Sequence, residues 1–364
     1  MTLKCGIIGL PNTGKSTLFN ALTASSAEAS NYPFCTIEPN VGMVSIPDGR
    51  LSKIANIIHT KKIVPASIEF VDIAGLVRNA HAGEGLGNQF LANILEMDTL
   101  AHVVRCFDES DVVHVEGEID PVRDIEIVET EILLKDMELL ERRITRVRKT
   151  AKSGDALARK DVAVSESLLD HLNNGRQIRF VELDTAQQAV VDDMKLLSAK
   201  PVIYVLNVGE DHFAIPSDYE LKAIDFAKKR GSSFVRISTK IEAELIGLTP
   251  EDRQMFMKEM ELTETALPAL IHEVYKTLHI VNFFTANENE LHAWHVPQGT
   301  KAPQAAGKIH TDFERGFIRA EVISFEDYIT FNGEHGAKEH GVMRLEGKEY
   351  AVREGDIIFF RFNV

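Results

Sequence analysis

Hydrophobic positions change their period twice along the chain. Residues 4–8, 66–73 and 100–107 are short runs rich in β-branched and apolar side chains, and residues 15–22 and 88–95 carry helical spacing between them. Strands alternating with helices predict a parallel α/β sheet. From about residue 120 the apolar positions step by three and four, through Leu133, Met137, Leu140, Ile144, Val147 and Ala151. That is the seam of a helical hairpin, with its bend at Lys152-Ser153-Gly154-Asp155. A second helical run reaches Leu172 and stops at Asn173-Asn174-Gly175, and a third covers 185–197. The α/β alternation then resumes, with an apolar strand at 201–206, an amphipathic helix at 217–229 and a strand at 233–237. The stretch at about 120–198 therefore reads as an insertion into one α/β domain of residues 1–278. Beyond a helical run at 262–278, short strands separated by Gly and Asn turns (280–285, 317–323, 341–345 and 356–362) predict a β-rich module over 279–364.

The 364 residues, 44 % of them hydrophobic, suffice for more than one core. Lys and Arg number 40 against 55 Asp and Glu, a net charge of -15, so the surface as a whole repels phosphate backbones and anionic lipid. Any nucleic-acid contact must use a local basic patch. Arg142, Arg143, Arg146, Arg148, Lys149 and Lys152 supply one, with no acidic residue between Glu141 and Asp155. At the tip of the hairpin this run reads either as a solvated helix face or as an RNA-contacting prong with salt-sensitive affinity. The C-terminal module, with nine basic and thirteen acidic residues, is no basic clamp. Its Phe283, Phe317 and Phe331 are expected in the core.

No run approaches the roughly 18 to 20 apolar residues that span a bilayer, so a cytoplasmic protein without membrane contact is expected. Cys5, Cys35 and Cys106 form no C-x-x-C pair and are expected as free thiols. His292 and His295, and His335 and His340, lack companion ligands at metal-binding spacing. Gly83, Gly85 and Gly87 follow G-x-G-x-G, which is not the dinucleotide fingerprint; they suit a segment that changes conformation with the nucleotide.

The strongest chemical signal is Gly9-Leu10-Pro11-Asn12-Thr13-Gly14-Lys15-Ser16-Thr17, a G-x-x-x-x-G-K-[S/T] motif directly after an apolar strand and opening a helix. Its glycines let backbone N–H groups converge on phosphate oxygens, and the helix N-terminus adds partial positive charge. Lys15 is placed to reach the β- and γ-phosphates, and Ser16 offers a hydroxyl to Mg²⁺. Asp72-Ile73-Ala74-Gly75 closes the next strand, where P-loop enzymes keep a carboxylate for the metal's shell and a glycine N–H for the γ-phosphate. Thr36, in the irregular segment between, is expected to give Mg²⁺ a second hydroxyl. Asn207-Val208-Gly209-Glu210 follows the strand at 201–206, where guanine-specific proteins carry N-K-x-D. An apolar Val208 cannot pack over the ring as lysine does, and the longer Glu210 weakens the pair of hydrogen bonds to guanine, so adenine is expected to be accepted. Ser238-Thr239-Lys240, after the following strand, makes a second base-side loop.

Together these residues resemble the YchF subfamily of Obg-like ATPases, within the translation-factor class of P-loop proteins. The resemblance covers essentially the whole chain: GLPNTGKST at Gly9, DIAGL at Asp72, GEGLGNQFLANI from Gly83, NVGE at Asn207, the helical insertion, and VREGDIIFFRFNV at the end. It implies a Ras-like P-loop core interrupted by a helical hairpin and followed by a β-grasp module similar to a TGS domain. It further implies hydrolysis of ATP in preference to GTP and association with the ribosome or its large subunit. A monomer is expected, with pairing of the hairpin to another subunit as the alternative. Leu76 stands where Ras-like enzymes place the glutamine that orients water. The resemblance puts a substitute histidine in the loop entering the insertion, here His114, which can position or deprotonate water. Asn12 matches a position that helps related GTPases hold K⁺ beside the phosphates, which makes K⁺ an expected second cation. Two other readings share these residues: a GTPase of ribosome assembly, and a nucleotide-gated scaffold whose function is binding rather than turnover.

Overall fold

The structure, a computed structural model, describes residues 2–27, 40–73, 93–109, 114–210, 215–260, 262 and 265–363. Its first sheet draws on β1 (Leu3–Ile8), β2 (Val41–Ser45), β4 (Ser67–Asp72), β5 (Thr99–Cys106), β6 (Val202–Val208) and β7 (Ser233–Ile237). The strand order is β2-β4-β1-β5-β6-β7, parallel throughout except for β2, which runs antiparallel to β4. Every residue of β5 and β6 is buried, as central strands covered on both faces require. Cys5, Ile7, Val103 and Val205 pack on one face with Leu18 and Leu22 of α1 (Lys15–Ala27). Ile8, Val104 and Leu206 pack on the other with Ile125, Val128 and Ala223. The chain moves from β1 to β4 on one side and then to β5 on the other, so the crevice past the C-terminal end of β1 is the topological switch point where ligands bind such sheets.

The second sheet runs β11-β10-β12-β8-β9-β3, from β8 (Ile280–Ala286), β9 (Leu291–Pro297), β10 (Phe317–Ile323), β11 (Arg344–Glu346) and β12 (Asp356–Phe362). The helix Ala302–Ile309 buries Ala302, Ala305 and Ala306 against Phe283, Phe317 and Ile358, a β-grasp arrangement. Its last strand, β3 (Ile63–Val64), comes from far earlier in the chain and pairs parallel with Leu291 and His292. Arg50 of α2 (Gly49–Ile58) pairs with Glu354 at 2.6 Å and lies over the Phe284 ring at 5.0 Å. One apolar cluster runs from Ile54 and Phe70 through Phe284, Leu291 and Ile357, so the two sheets share a core.

Residues 41–64 and β9 have no counterpart in the sequence pattern. Pro47-Asp48-Gly49 has turn composition, yet Asp48 accepts from the Arg50 N–H at 3.0 Å and caps α2. The predicted strand at 341–345 starts at Arg344, because Gly341 (φ 70°) still belongs to the preceding turn. The helix expected over 185–197 stops at Met194, where Lys195 turns left-handed (φ 51°). Of the helix expected at 88–95, only 93–95 fall among the described residues, and they are helical. Cys5 and Cys106 are buried free thiols; Cys35 lies outside the described residues. Phe283 and Phe317 are buried, whereas Phe331 is half-buried and stacks on His340 at 4.5 Å. No helix among the described residues is long and apolar enough to cross a membrane.

The insertion between β5 and β6 is the expected hairpin. Helices α3 (Pro121–Lys152) and α4 (Ala156–Asn173) flank a bend at 153–155, with Asp120 and Asp155 as N-caps. Leu140, Leu168, Leu172 and Val190 give it a small core of its own. The basic run is less open than its sequence indicates: Arg143 binds Asp161 bidentately at 2.9 Å and Asp193 at 2.5 Å, and Arg148 and Arg142 pair with Glu166 and Glu138. A helical hairpin sets acidic side chains from neighbouring turns and from the facing helix beside the basic ones, which a linear charge count cannot show.

Polar anchors join the insertion to the sheet. Buried Asp136 accepts from the Leu197 and Ser198 N–H groups at 2.9 and 2.7 Å. Buried Glu129 accepts from Arg179 and Arg230, both at 2.5 Å, and from the Tyr204 hydroxyl of β6 at 2.7 Å. Burial alone pushes the Glu129 carboxyl up, but Arg179, Tyr204 and Arg230 together hold it below the usual glutamate value. Glu129→Ala leaves two guanidinium groups without their carboxylate and is expected to lower unfolding free energy by roughly 3 kcal/mol in urea titrations. Because the folded carboxyl is depressed, its contribution is present above the ordinary value of 4.5 and is lost as pH falls through the folded one. The stability gap between native protein and Glu129→Gln should therefore narrow on acidification below that pH; a constant gap would contradict the assignment.

Candidate nucleotide site

Past Ile8 the chain makes a loop that ordinary side chains could not follow. Gly9 has φ 148° and Gly14 φ 94°, and a Cβ would lie 2.5 Å from the Val103 carbonyl oxygen at the first and 2.4 Å from Asn207 Nδ2 at the second. Asn12 is left-handed as well, at φ 61°. The loop ends as α1 starts at Lys15, so the free N–H groups of its first turn face the switch-point crevice. Lys15 Nζ donates to the Leu10 carbonyl at 2.8 Å, and Thr13 Oγ1 donates to the same oxygen at 3.0 Å. Burial pushes the Lys15 amine below its usual value, while Asp72 pulls the other way.

Ser16 Oγ donates to Asp72 Oδ2 at 2.9 Å. The other carboxylate oxygen, Oδ1, is buried without a hydrogen-bond partner among the described residues. A hydroxyl beside a carboxylate that holds a spare buried oxygen is a donor set suited to a hard, oxygen-seeking cation, and so fits Mg²⁺. Thr36 and Gly75, together with Leu76, Gly83, Gly85 and Gly87, lie outside the described residues.

Asn207, buried near the end of β6, spans the gap between the phosphate loop and the loop after β7. Its Nδ2 donates to the Thr13 carbonyl at 2.9 Å, and its Oδ1 accepts from the Thr239 N–H at 3.1 Å. Beside it opens a cavity of about 360 Å³ that gathers Asn12, Gly14, Thr17, Asn207, Val208, Glu210 and Ser238. Val208 is itself part of the apolar core on that face, and Ser238 caps the helix Thr239–Leu245. Sequence reasoning missed Phe107 and Glu109, which also line the cavity. Phe107 is held from below by Arg105, which donates to its carbonyl at 3.1 Å and lies 4.7 Å from its ring centre. An arginine placed next to the end of a strand that is mostly apolar was the available signal. Lys240 reaches across the mouth, 3.1 Å from Glu210 Oε2 and 3.9 Å from Glu109 Oε1.

His114 is buried at the root of the insertion. Its Nδ1 accepts from the Glu116 N–H at 3.1 Å, which leaves the ring proton on Nε2, facing Asp124 Oδ2 at 2.7 Å. Burial raises the Asp124 carboxyl, opposed by His114 and by Arg123. Both imidazole nitrogens are thus engaged away from the phosphate loop. Among the other histidines, His292 stacks on Trp294 at 3.7 Å and His335 pairs with Glu339 at 3.2 Å.

Comparison with known proteins agrees with this geometry. Residues 4–142 match a family described as 50S ribosome-binding GTPase, and residues 280–363 match the YchF GTPase carboxy-terminal family, described as a protein of unknown function. The ribosome-binding ATPase YchF of Escherichia coli O157:H7 is 50 % identical over 364 residues, covering all of both chains. Its Bacillus subtilis counterpart is 48 % identical over 366 residues, again covering all of both. The solved structure of the Schizosaccharomyces pombe YchF GTPase superposes with a TM-score of 0.89 at 35 % identity, over 99 % of this chain and 98 % of that one. Relatives of about half-identical sequence match over the full length of both chains, and a solved structure superposes over nearly all of this one, so the chain belongs to the YchF family.

Proposed function

We propose that this protein is a Mg²⁺-dependent ATPase that prefers ATP to GTP and acts in the cytoplasm as a monomeric nucleotide switch on the ribosome or its large subunit. The observation that carries the base preference is the wall of the cavity: Val208 is buried in the core, so no lysine stem from position 208 covers the ring, and Glu210 stands where guanine recognition uses a shorter aspartate. The names of the relatives support hydrolysis and ribosome binding.

In this reading the amides of 12–17 cradle the phosphates, and Lys15 exchanges the Leu10 carbonyl for the β- and γ-phosphates. Ser16 and Thr36 would hold Mg²⁺ and Asp72 its water shell, and the ion when bound would neutralise charge on the phosphates. Gly75 offers its N–H to the γ-phosphate, and Asn207 and its backbone neighbours hold the base. Asn12 supplies an oxygen to K⁺ beside the phosphates. His114 leaves Asp124 and turns its imidazole to the attacking water, a role open to it because Leu76 cannot orient water. The domain limits at 278 and 279, with the insertion at about 120–198, complete the proposal.

Competition between ATP and GTP for the purified protein should show tighter ATP binding; tighter GTP binding would overturn the reading of Val208 and Glu210. His114→Ala should reduce kcat by about 100-fold or more while changing nucleotide affinity less than about twofold, the range expected for loss of general-base assistance. In the same assay, native turnover should be faster in K⁺ than in Na⁺ at constant ionic strength. Unchanged turnover in His114→Ala would remove the histidine from the mechanism.

The hairpin tip is the proposed RNA contact, through the exposed Lys149 and Lys152 rather than the ion-paired Arg143. Charge reversal of both lysines should weaken ribosome association and flatten its dependence on salt, by about one counterion per lost phosphate contact. Cosedimentation across a salt series measures this, and an unaltered slope would exclude the tip.

A further inference from the structure

The ion pair across the mouth of the cavity has an energetic role in the fold that is small by its exposure, since both partners reach solvent and such pairs contribute little. Its position matters more than its strength. Guanine presents two parallel donors, a ring N–H and an exocyclic amine, and a carboxylate that recognises it must offer both oxygens at once. Adenine has one exocyclic amine and an acceptor on the same edge, and makes no such demand.

We propose that Lys240 is a specificity-determining residue: by pairing with Glu210 Oε2 at 3.1 Å it competes for one of the two carboxylate oxygens that guanine needs, and so disfavours GTP relative to ATP. The inference deepens the reading of the cavity as a base site and rests on it.

Three features place the lysine there. Thr239, just before it, is fixed by its N–H bond to Asn207 Oδ1. Ser238 caps the first turn of the short helix that carries Lys240, through its bond to the Ile241 N–H at 3.5 Å. The backbone of Lys240 is therefore held on both sides, and its stem spans the mouth between Glu210 and Glu109. The hydrogen bond to Glu210, followed by the charge of the same carboxylate, raises the Lys240 amine above its usual value, so the ammonium persists over the physiological range. The pairing also accounts for a base loop that keeps a carboxylate at position 210 while being read as adenine-accepting: the acid is present but already engaged.

The test uses the full-length protein with ribose-labelled fluorescent ATP and GTP analogues in Mg²⁺. Lys240→Met keeps the stem and removes the ammonium. It should tighten GTP-analogue binding by about tenfold, the low end for one hydrogen bond to a charged group, and by clearly more than it shifts ATP-analogue binding. Adding Glu210→Gln to Lys240→Met should abolish that gain, because the freed carboxylate is its source. Lys240→Met that leaves GTP affinity unchanged, or that shifts both nucleotides in parallel, would overturn the inference. So would a gain that survives Glu210→Gln. The underlying reading fails separately, on the native protein alone, if the two analogues bind equally.

Discussion

The structure turns on one buried amide. Asn207 donates to the carbonyl of Thr13 in the phosphate loop and accepts from the N–H of Thr239 in the base-side loop, so loops at the ends of β1, β6 and β7 are tied through a single side chain. The bridge needs a donor and an acceptor on one planar group of this length, which only a carboxamide supplies. Removing it would leave a backbone carbonyl and a backbone N–H both buried and unmet. Gly14 is part of the same constraint: a Cβ there would meet the Asn207 Nδ2 at 2.4 Å and the Thr239 Oγ1 at 2.9 Å. The phosphate loop and the loop after β7 therefore form one frame rather than two independently placed contacts.

Around that frame the protein uses polar anchors where apolar packing would be indifferent to register. Glu129 and Asp136 fix the root of the hairpin to β6 and to the turn before it, through a carboxylate shared by two arginines and a tyrosine and through a carboxylate on two backbone N–H groups. His114 and Asp124 make a third such contact within one turn of where α3 begins. The hairpin is consequently attached to the strand that ends in the base-side loop, and its entrance is where the proposed catalytic imidazole rests.

Local signals made much of this legible. The phosphate loop requires glycine, lysine and a hydroxyl at fixed offsets, and a strand and a helix on either side, so sequence and fold state the same fact twice. β7, β10 and β12 occupy the residues that their apolar runs and flanking turns indicate. What remained hidden is pairing over distance. Nothing in Ile63-Val64 distinguishes a two-residue strand from a loop, because its partner lies at Leu291. Asp124 reads as an ordinary acid in the first turn of a helix until His114 is brought against it. The basic run from Arg142 is plain in the sequence, and its neutralisation by Asp161, Asp193 and Glu166 is not. Site residues such as Thr36 and Gly75 rest on motif position and resemblance alone.

The two-residue strand β3 also bears on how the chain is assembled. Lys61 and Lys62, just before it, contact Asn289 and Glu290, a sequence separation of 228 residues. During synthesis the edge of the second sheet thus emerges first and the five strands it borders come last. The β-grasp module completes itself on a template already anchored between α2 and β4, and the contact that closes it is among the most non-local in the protein. Separating the module at residue 279 would strip one outer strand from it and leave the β9 edge open to strand addition from other chains, a hazard that the intact chain avoids by carrying the matching strand itself.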